Sequence, residues 1–108
     1  MQRTVTLARR DYDWVVTKIE CGDTTHNHYG LCVDLGSTTV IMRLVDLNTG
    51  NIITEECIFN KEIKFGEDIL NRIFYTRNSK EKLYEVHKAA IDTFLELLDI
   101  IEKKTNVK

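Results

Sequence analysis

Residues 30–40 read Gly30-Leu31-Cys32-Val33-Asp34-Leu35-Gly36-Ser37-Thr38-Thr39-Val40. An apolar strand, Leu31 to Leu35, breaks at Gly36-Ser37. A second apolar strand leaves from Thr39 and holds Val40-Ile41-Met42-Arg43-Leu44-Val45. Strand, tight turn and strand make a hairpin, and its turn is dense in donors. A glycine lets backbone approach a ligand with no Cβ in the way and adopt unusual dihedrals. Successive backbone N–H groups in such a turn can point into one concavity and hold an anion. Ser37, Thr38 and Thr39 add three hydroxyls. Asp34, just before the turn, is the kind of single carboxylate that holds hydrated Mg²⁺.

Two readings of the turn stay open on these residues alone. One is a tight turn followed by β-branched strand residues. The other is a polyphosphate cradle, with Asp34 and residues 36–39 forming one concave polar site. Asp34 favours the second, because an unpaired carboxylate inside an apolar strand is costly. The hydroxyls favour it too, being more than a turn requires.

Downstream, Asp46-Leu47-Asn48-Thr49-Gly50 is a strong turn signal, with Gly50 able to take the left-handed conformation that closes a three-residue hairpin loop. A third strand from Asn51 to about Phe59 completes an antiparallel meander. The 39–47 strand is apolar on both faces except at Arg43, the pattern of a strand covered on both sides. Upstream, residues 3–9 and 14–19 alternate polar and apolar around Arg10-Asp11-Tyr12-Asp13 and read as a β-hairpin. A polar link, Gly22 to Tyr29, joins it to the meander.

After the third strand the period changes. From Glu67, Ile69, Leu70, Ile73 and Phe74 recur at helical spacing. Residues 75–79 interrupt, and Asn78 with Glu81 resembles a capping box. A long helix then runs to about Lys104. Its expected apolar stripe is Leu83, His87, Ala90, Ile91, Phe94, Leu98 and Ile101. His87 in that stripe reads as a core-edge residue and not as a ligand.

The composition agrees with one folded α/β unit, or α+β if strands and helices stay separate. The chain has 108 residues, 43% hydrophobic, and no proline. Its net charge of −2 is spread over mixed signs, which argues against a nucleic-acid arm or a basic membrane patch. No apolar run approaches the ~20 residues of a membrane span, and Met1 to Val5 is no hydrophobic leader. The cytoplasm is the default expectation. Cys21, Cys32 and Cys57 are odd in number with no close pair, so they read as free, partly buried thiols of a reducing compartment. Cys21, His26 and His28 are metal-ligand types, but their polar stretch reads as a surface loop and not as a closed zinc site.

Residues 30–40 resemble the first phosphate motif of the acetate and sugar kinase, heat-shock chaperone and actin superfamily. Two further stretches narrow the resemblance. These are Leu44-Val45-Asp46-Leu47-Asn48-Thr49-Gly50 and Asn60-Lys61-Glu62-Ile63-Lys64-Phe65-Gly66-Glu67-Asp68-Ile69-Leu70-Asn71-Arg72-Ile73. Both are similar to the reductive activators of corrinoid proteins, ATPases with an N-terminal ferredoxin-type domain that drive an electron onto the cobalt of an inactive corrinoid protein.

The resemblance implies a partial ribonuclease-H-like ATPase subdomain over residues 30–108, preceded by a hairpin and linker over residues 1–29. It implies that Asp34 positions Mg²⁺ or water, and that Gly36, Ser37, Thr38 and Thr39 hold the β- and γ-phosphates of ATP. The expected partners are a nucleotide and, through the full-length protein, a corrinoid protein. No cysteine set for an iron–sulfur cluster is present. The second phosphate motif and the adenosine motif would lie beyond Lys108, so this piece alone is expected to be nearly inactive. Another kinase of the superfamily and a non-catalytic binding or assembly module are the alternatives. With no further strands beside it, Leu31–Leu35 would be an open sheet edge, and a homo-oligomer burying that edge is expected.

Overall fold

Alternation near the N-terminus produces the first two strands, β1 (Arg3–Arg10) and β2 (Asp13–Cys21), in the computed structural model, which describes residues 1–108. They form a two-stranded antiparallel sheet with an irregular register at Thr6/Leu7. The hairpin packs little on the rest of the chain, so Trp14, Val15, Val16 and Ile19 stay exposed and the molecule is long, 55 × 32 × 22 Å. The polar link ties back to the meander instead. Leu47 N–H donates to the His28 carbonyl at 2.8 Å, and the Asn48 side-chain amide to the Thr25 carbonyl at 2.9 Å.

β3 (Tyr29–Leu35), β4 (Thr39–Asp46) and β5 (Ile52–Phe59) form the expected meander in the order β3-β4-β5. Leu35 faces Val40 and Leu31 faces Leu44 across the first hairpin. A two-residue period then puts Leu31, Val33 and Leu35 on one face with Val40, Met42 and Leu44. Gly30, Cys32 and Asp34 share the other face with Ile41, Arg43 and Val45.

Helices follow the strands. A short 3₁₀ turn, Lys61–Phe65, leads into α1 (Ile69–Thr76) and then α2 (Lys80–Thr105). α2 packs on β5 and β4 and hardly on β3. Val40, Met42 and Leu44 are buried beneath it, against Leu97 and Ile101. Burying each such side chain stabilises the fold by about 1.5–3 kcal/mol. Beside them Leu31, Val33 and Leu35 remain 47%, 45% and 52% exposed.

Several expectations are corrected. β4 is fully covered on one face only: Val40, Met42 and Leu44 are buried, while on the other face Ile41 and Val45 are half-buried and Arg43 is exposed. α2 is rotated from the expected stripe: Ala89, Thr93, Leu97 and Ile101 are buried, while Leu83, His87 and Ile91 are exposed. The helix has apolar residues on two adjoining faces, and periodicity alone could not choose between them. α1 is inverted. Its apolar Ile69, Leu70, Ile73 and Phe74 face outward, and its buried residue is Arg72. Ser79 and not Asn78 caps α2, its hydroxyl accepting from Lys82 N–H at 3.3 Å. Asn78 instead takes a left-handed conformation between the helices, φ 61°. The three cysteines are exposed and not partly buried.

Candidate functional site

The turn between β3 and β4 closes through Gly36 N–H, which donates to the Thr39 carbonyl at 3.0 Å. Glycine is required here for space rather than for dihedrals. Gly36 is not among the residues with positive φ, but a Cβ at this position would lie 2.4 Å from the Thr39 oxygen. The expected unusual backbone at Gly36 is therefore replaced by a steric reason.

The other carbonyls of the turn are held from far along the chain. Asn60, buried just after β5, donates its side-chain amide to the Gly36 carbonyl at 2.8 Å and its backbone N–H to the Thr38 carbonyl at 2.8 Å. Arg72, buried in α1, donates Nη2 to the Ser37 carbonyl. Its Nε donates to the Gly66 carbonyl at 2.9 Å, and its Nη1 meets the Glu62 carboxylate at 3.3 Å. Four successive carbonyls, from Gly36 to Thr39, are thus bonded on the protein side. Ser37 and Thr38 are exposed, and their N–H groups have no acceptor in the chain. The hydroxyls of Ser37, Thr38 and Thr39 have no protein partner either.

Local sequence explains how the buttress forms. Asn60 also caps the 3₁₀ turn, its side-chain oxygen accepting from Glu62 N–H at 2.9 Å. Lys61 N–H donates to the buried Thr93 hydroxyl of α2 at 3.1 Å, which fixes this corner to the long helix. Asp68 caps α1 through Asn71 N–H at 2.7 Å. Gly66, at φ 148°, passes so close to α1 that a Cβ would sit 2.9 Å from the Arg72 nitrogen. Asn60, Glu62, Gly66 and Arg72 were visible in the sequence only as parts of a resemblance. The physical signal was Arg72, a charge set in an apolar helical segment.

Asp34 lies at the end of β3, opposite Ile41. The register puts it on the open sheet face with Thr39 and away from α2. It is exposed, so the cost argued for a buried carboxylate does not arise in this chain. Its carboxylate makes no hydrogen bond to residues 36–39. Its charge does reach Arg43, whose guanidinium is held above its ordinary value. The main cause is the hydrogen bond and charge of Glu55, with smaller contributions from Cys32 and Asp34. Asp34 is the side chain that could hold a hydrated Mg²⁺ here, since Mg²⁺ binds through few carboxylates and keeps its waters. No three His, Cys, Asp or Glu side chains gather to hold a metal from protein atoms alone.

A cleft of about 1000 Å³ lies at the other end of β3, lined by His28, Tyr29, Leu31, Leu98 and Glu102 among others. The turn is not part of it. No helix is long and apolar enough to cross a membrane.

Comparison with known proteins gives three results. Residues 29–108 match the family described as the RACo middle region. The chain is 32% identical over 79 residues to the corrinoid activation enzyme RamQ of Eubacterium limosum, covering 73% of this chain and 13% of that protein. A solved structure, a reductive activator for corrinoid, iron-sulfur protein, superposes with a TM-score of 0.89 at 29% identity, over 98% of this chain and 17% of that one. The chain thus spans a small part of the relatives it matches. With its matched segment reaching from Tyr29 at the start of β3 to the C-terminal Lys108, this chain belongs to the RACo middle region family.

Proposed function

We propose that this chain supplies the first phosphate-holding turn of an ATP-driven reductive activator of corrinoid proteins. The observation that carries the reading is the polarity of the turn. Its carbonyls are bonded to Asn60, Arg72 and, at Thr39, to Gly36 N–H, while the exposed Ser37 and Thr38 have N–H groups without an acceptor in the chain. Backbone N–H groups aimed at one place, with hydroxyls beside them, bind phosphate oxygens. Gly36, Ser37, Thr38 and Thr39 would hold the terminal phosphates of ATP. Asp34 would hold a water of the Mg²⁺ that travels with them. Bound Mg²⁺ neutralises charge as the phosphoryl group transfers.

In this reading residues 1–29 are a hairpin and linker, and residues 30–108 open a ribonuclease-H-like ATPase domain working in the cytoplasm. The electron-carrying cluster and the corrinoid protein would be partners of the full-length activator. A turn on one wall of a cleft lacks the partners that preorganise a nucleotide. Calorimetric titration of this chain with Mg-ATP is expected to give a dissociation constant well above micromolar. A sub-micromolar constant would mean that these residues build a whole site and would overturn the one-wall reading.

A second reading, an assembly module, draws on the free edge of β3 and its exposed Leu31, Val33 and Leu35. An edge of this kind pairs readily with another chain. Light scattering at micromolar concentration would then report a dimer, and a monomer would remove the edge-pairing idea.

A further inference from the structure

The Ser37 carbonyl is held by a guanidinium 35 residues away in sequence, and that guanidinium is itself buried, with each of its three nitrogens bonded. We propose that Arg72 is a positioning residue of the phosphate turn, setting the Ser37 and Thr38 amides toward the anion without touching it. The inference rests on the phosphate reading of the turn.

The geometry carries it in three steps. A peptide unit is planar, so fixing the carbonyl of one residue fixes the N–H of the next on the opposite side. Asn60 on the Gly36 carbonyl therefore turns the Ser37 N–H outward. Arg72 on the Ser37 carbonyl does the same for Thr38 N–H. Arg72 suits the task because its planar fork offers donors in fixed directions. One fork spans three acceptors from three segments: Ser37 in the turn, Gly66 before α1, and Glu62 in the 3₁₀ turn. Glu62 keeps the buried charge paired, as a buried cation requires. A lysine has the charge but carries its three donors on one nitrogen, so it cannot reach acceptors spread around a planar fork as these are.

α1 buries Arg72 toward the turn and leaves Ile69, Leu70, Ile73 and Phe74 exposed. Arg72 thereby ties the orientation of α1 to the conformation of residues 36–38.

The test is an amide NMR titration of the protein with inorganic tripolyphosphate in the presence of Mg²⁺. The unmodified protein is expected to show saturable shifts at Ser37 and Thr38. Arg72→Lys is expected to move those two signals before any ligand is added and to weaken tripolyphosphate binding at least tenfold. Ile101→Val, a core change away from the turn, is expected to bind as the unmodified protein does. Binding that survives Arg72→Lys within twofold overturns the positioning role alone. Equal weakening by Ile101→Val also overturns it, since stability and not position would then be the cause. No binding by the unmodified protein overturns the phosphate reading and the inference together. Should Arg72→Lys fail to fold, the unmodified protein still decides. The Arg72 guanidinium signals are expected to shift with the same midpoint as the two amides. Amides that respond while Arg72 stays unmoved would overturn the proposal.

Discussion

The meander has two turns, and they satisfy their backbones in opposite ways. The β4–β5 turn closes largely within itself, apart from the Leu47 N–H on the His28 carbonyl and the Asn48 side-chain amide on the Thr25 carbonyl. Gly50 N–H donates to the Asp46 carbonyl at 2.7 Å, Asn48 N–H to the Asp46 carboxylate at 2.8 Å, and Asn51 N–H to the Thr49 hydroxyl at 3.2 Å. Every one of these partners lies within four residues. In the β3–β4 turn three of the four carbonyls are held by Asn60 and Arg72, which come more than twenty residues later, and the Ser37 and Thr38 amides are left without protein acceptors. A turn needed only to reverse the chain is served by the first pattern. The second commits two buried polar side chains and the start of a helix to one exposed loop, and its product is a row of outward donors.

The difference can be broken most severely at Arg72. Arg72→Ala leaves the Glu62 carboxylate and the Gly66 and Ser37 carbonyls without their donor in a part-buried site. Removing one member of a buried pair of this kind costs about 3–5 kcal/mol. Urea unfolding should show a loss of that size, larger than for any exposed ion pair of α2. The Lys88–Asp92 and Lys103–Asp99 pairs are solvent-exposed i,i+4 contacts, a class in which many contribute little.

A gentler change compares the turns directly. Gly36→Ala places a Cβ against the Thr39 oxygen and must open the turn, at about 3 kcal/mol, the upper range of overpacking. Gly50→Ala meets nothing within 4 Å and strains only its left-handed dihedral, φ 80°, at about 1 kcal/mol. Thermal unfolding of the two variants should rank them in that order. Near-equal losses would mean that the β3–β4 turn is no tighter than its neighbour.

The smallest effect is expected where β5 meets the end of α2. Lys104 donates to the Glu56 carboxylate at 2.6 Å, and this hydrogen bond holds that carboxyl below its ordinary value of 4.5. A carboxyl lowered in the folded state adds stability that is complete above pH 4.5. That stability is lost as pH falls through the lowered value. Stability measured from pH 6 down to pH 3 should therefore fall slightly less steeply for Glu56→Gln than for the unmodified chain. An unchanged acid slope would show that the pair is solvated away. Neither turn should be affected, since Glu56 lies on the α2 side of the sheet.

The strands were legible because alternation, Gly50 and the polar breaks all agree, and each hairpin sits where the pattern puts it. Family membership was legible in residues 30–40 and 60–73. The helix faces were not. α2 carries Leu83, Ile91 and Leu98 on one flank and Ala89, Thr93 and Leu97 on the next, so its moment does not say which flank meets the sheet. α1 reverses its expected pattern, with Arg72 buried and Ile69, Leu70, Ile73 and Phe74 exposed, which local amphipathicity does not foretell. The location of the turn was plain, yet the reason for Gly36 was not, because it depends on a carbonyl three residues away. The buttress could not be read at all from spacing. Asn60 meets the turn only after two further strands, and Arg72 only after the 3₁₀ turn and the start of α1 as well.

The central claim is that the two turns differ in what they offer a ligand. An amide NMR map of the unmodified protein titrated with Mg-ATP tests it most directly. Progressive shifts are expected at Ser37, Thr38 and Thr39, with Asp34 following, and none at Leu47 to Gly50. Shifts confined to the cleft around Tyr29 and Leu98, or no difference between the two turns at millimolar nucleotide, would contradict it.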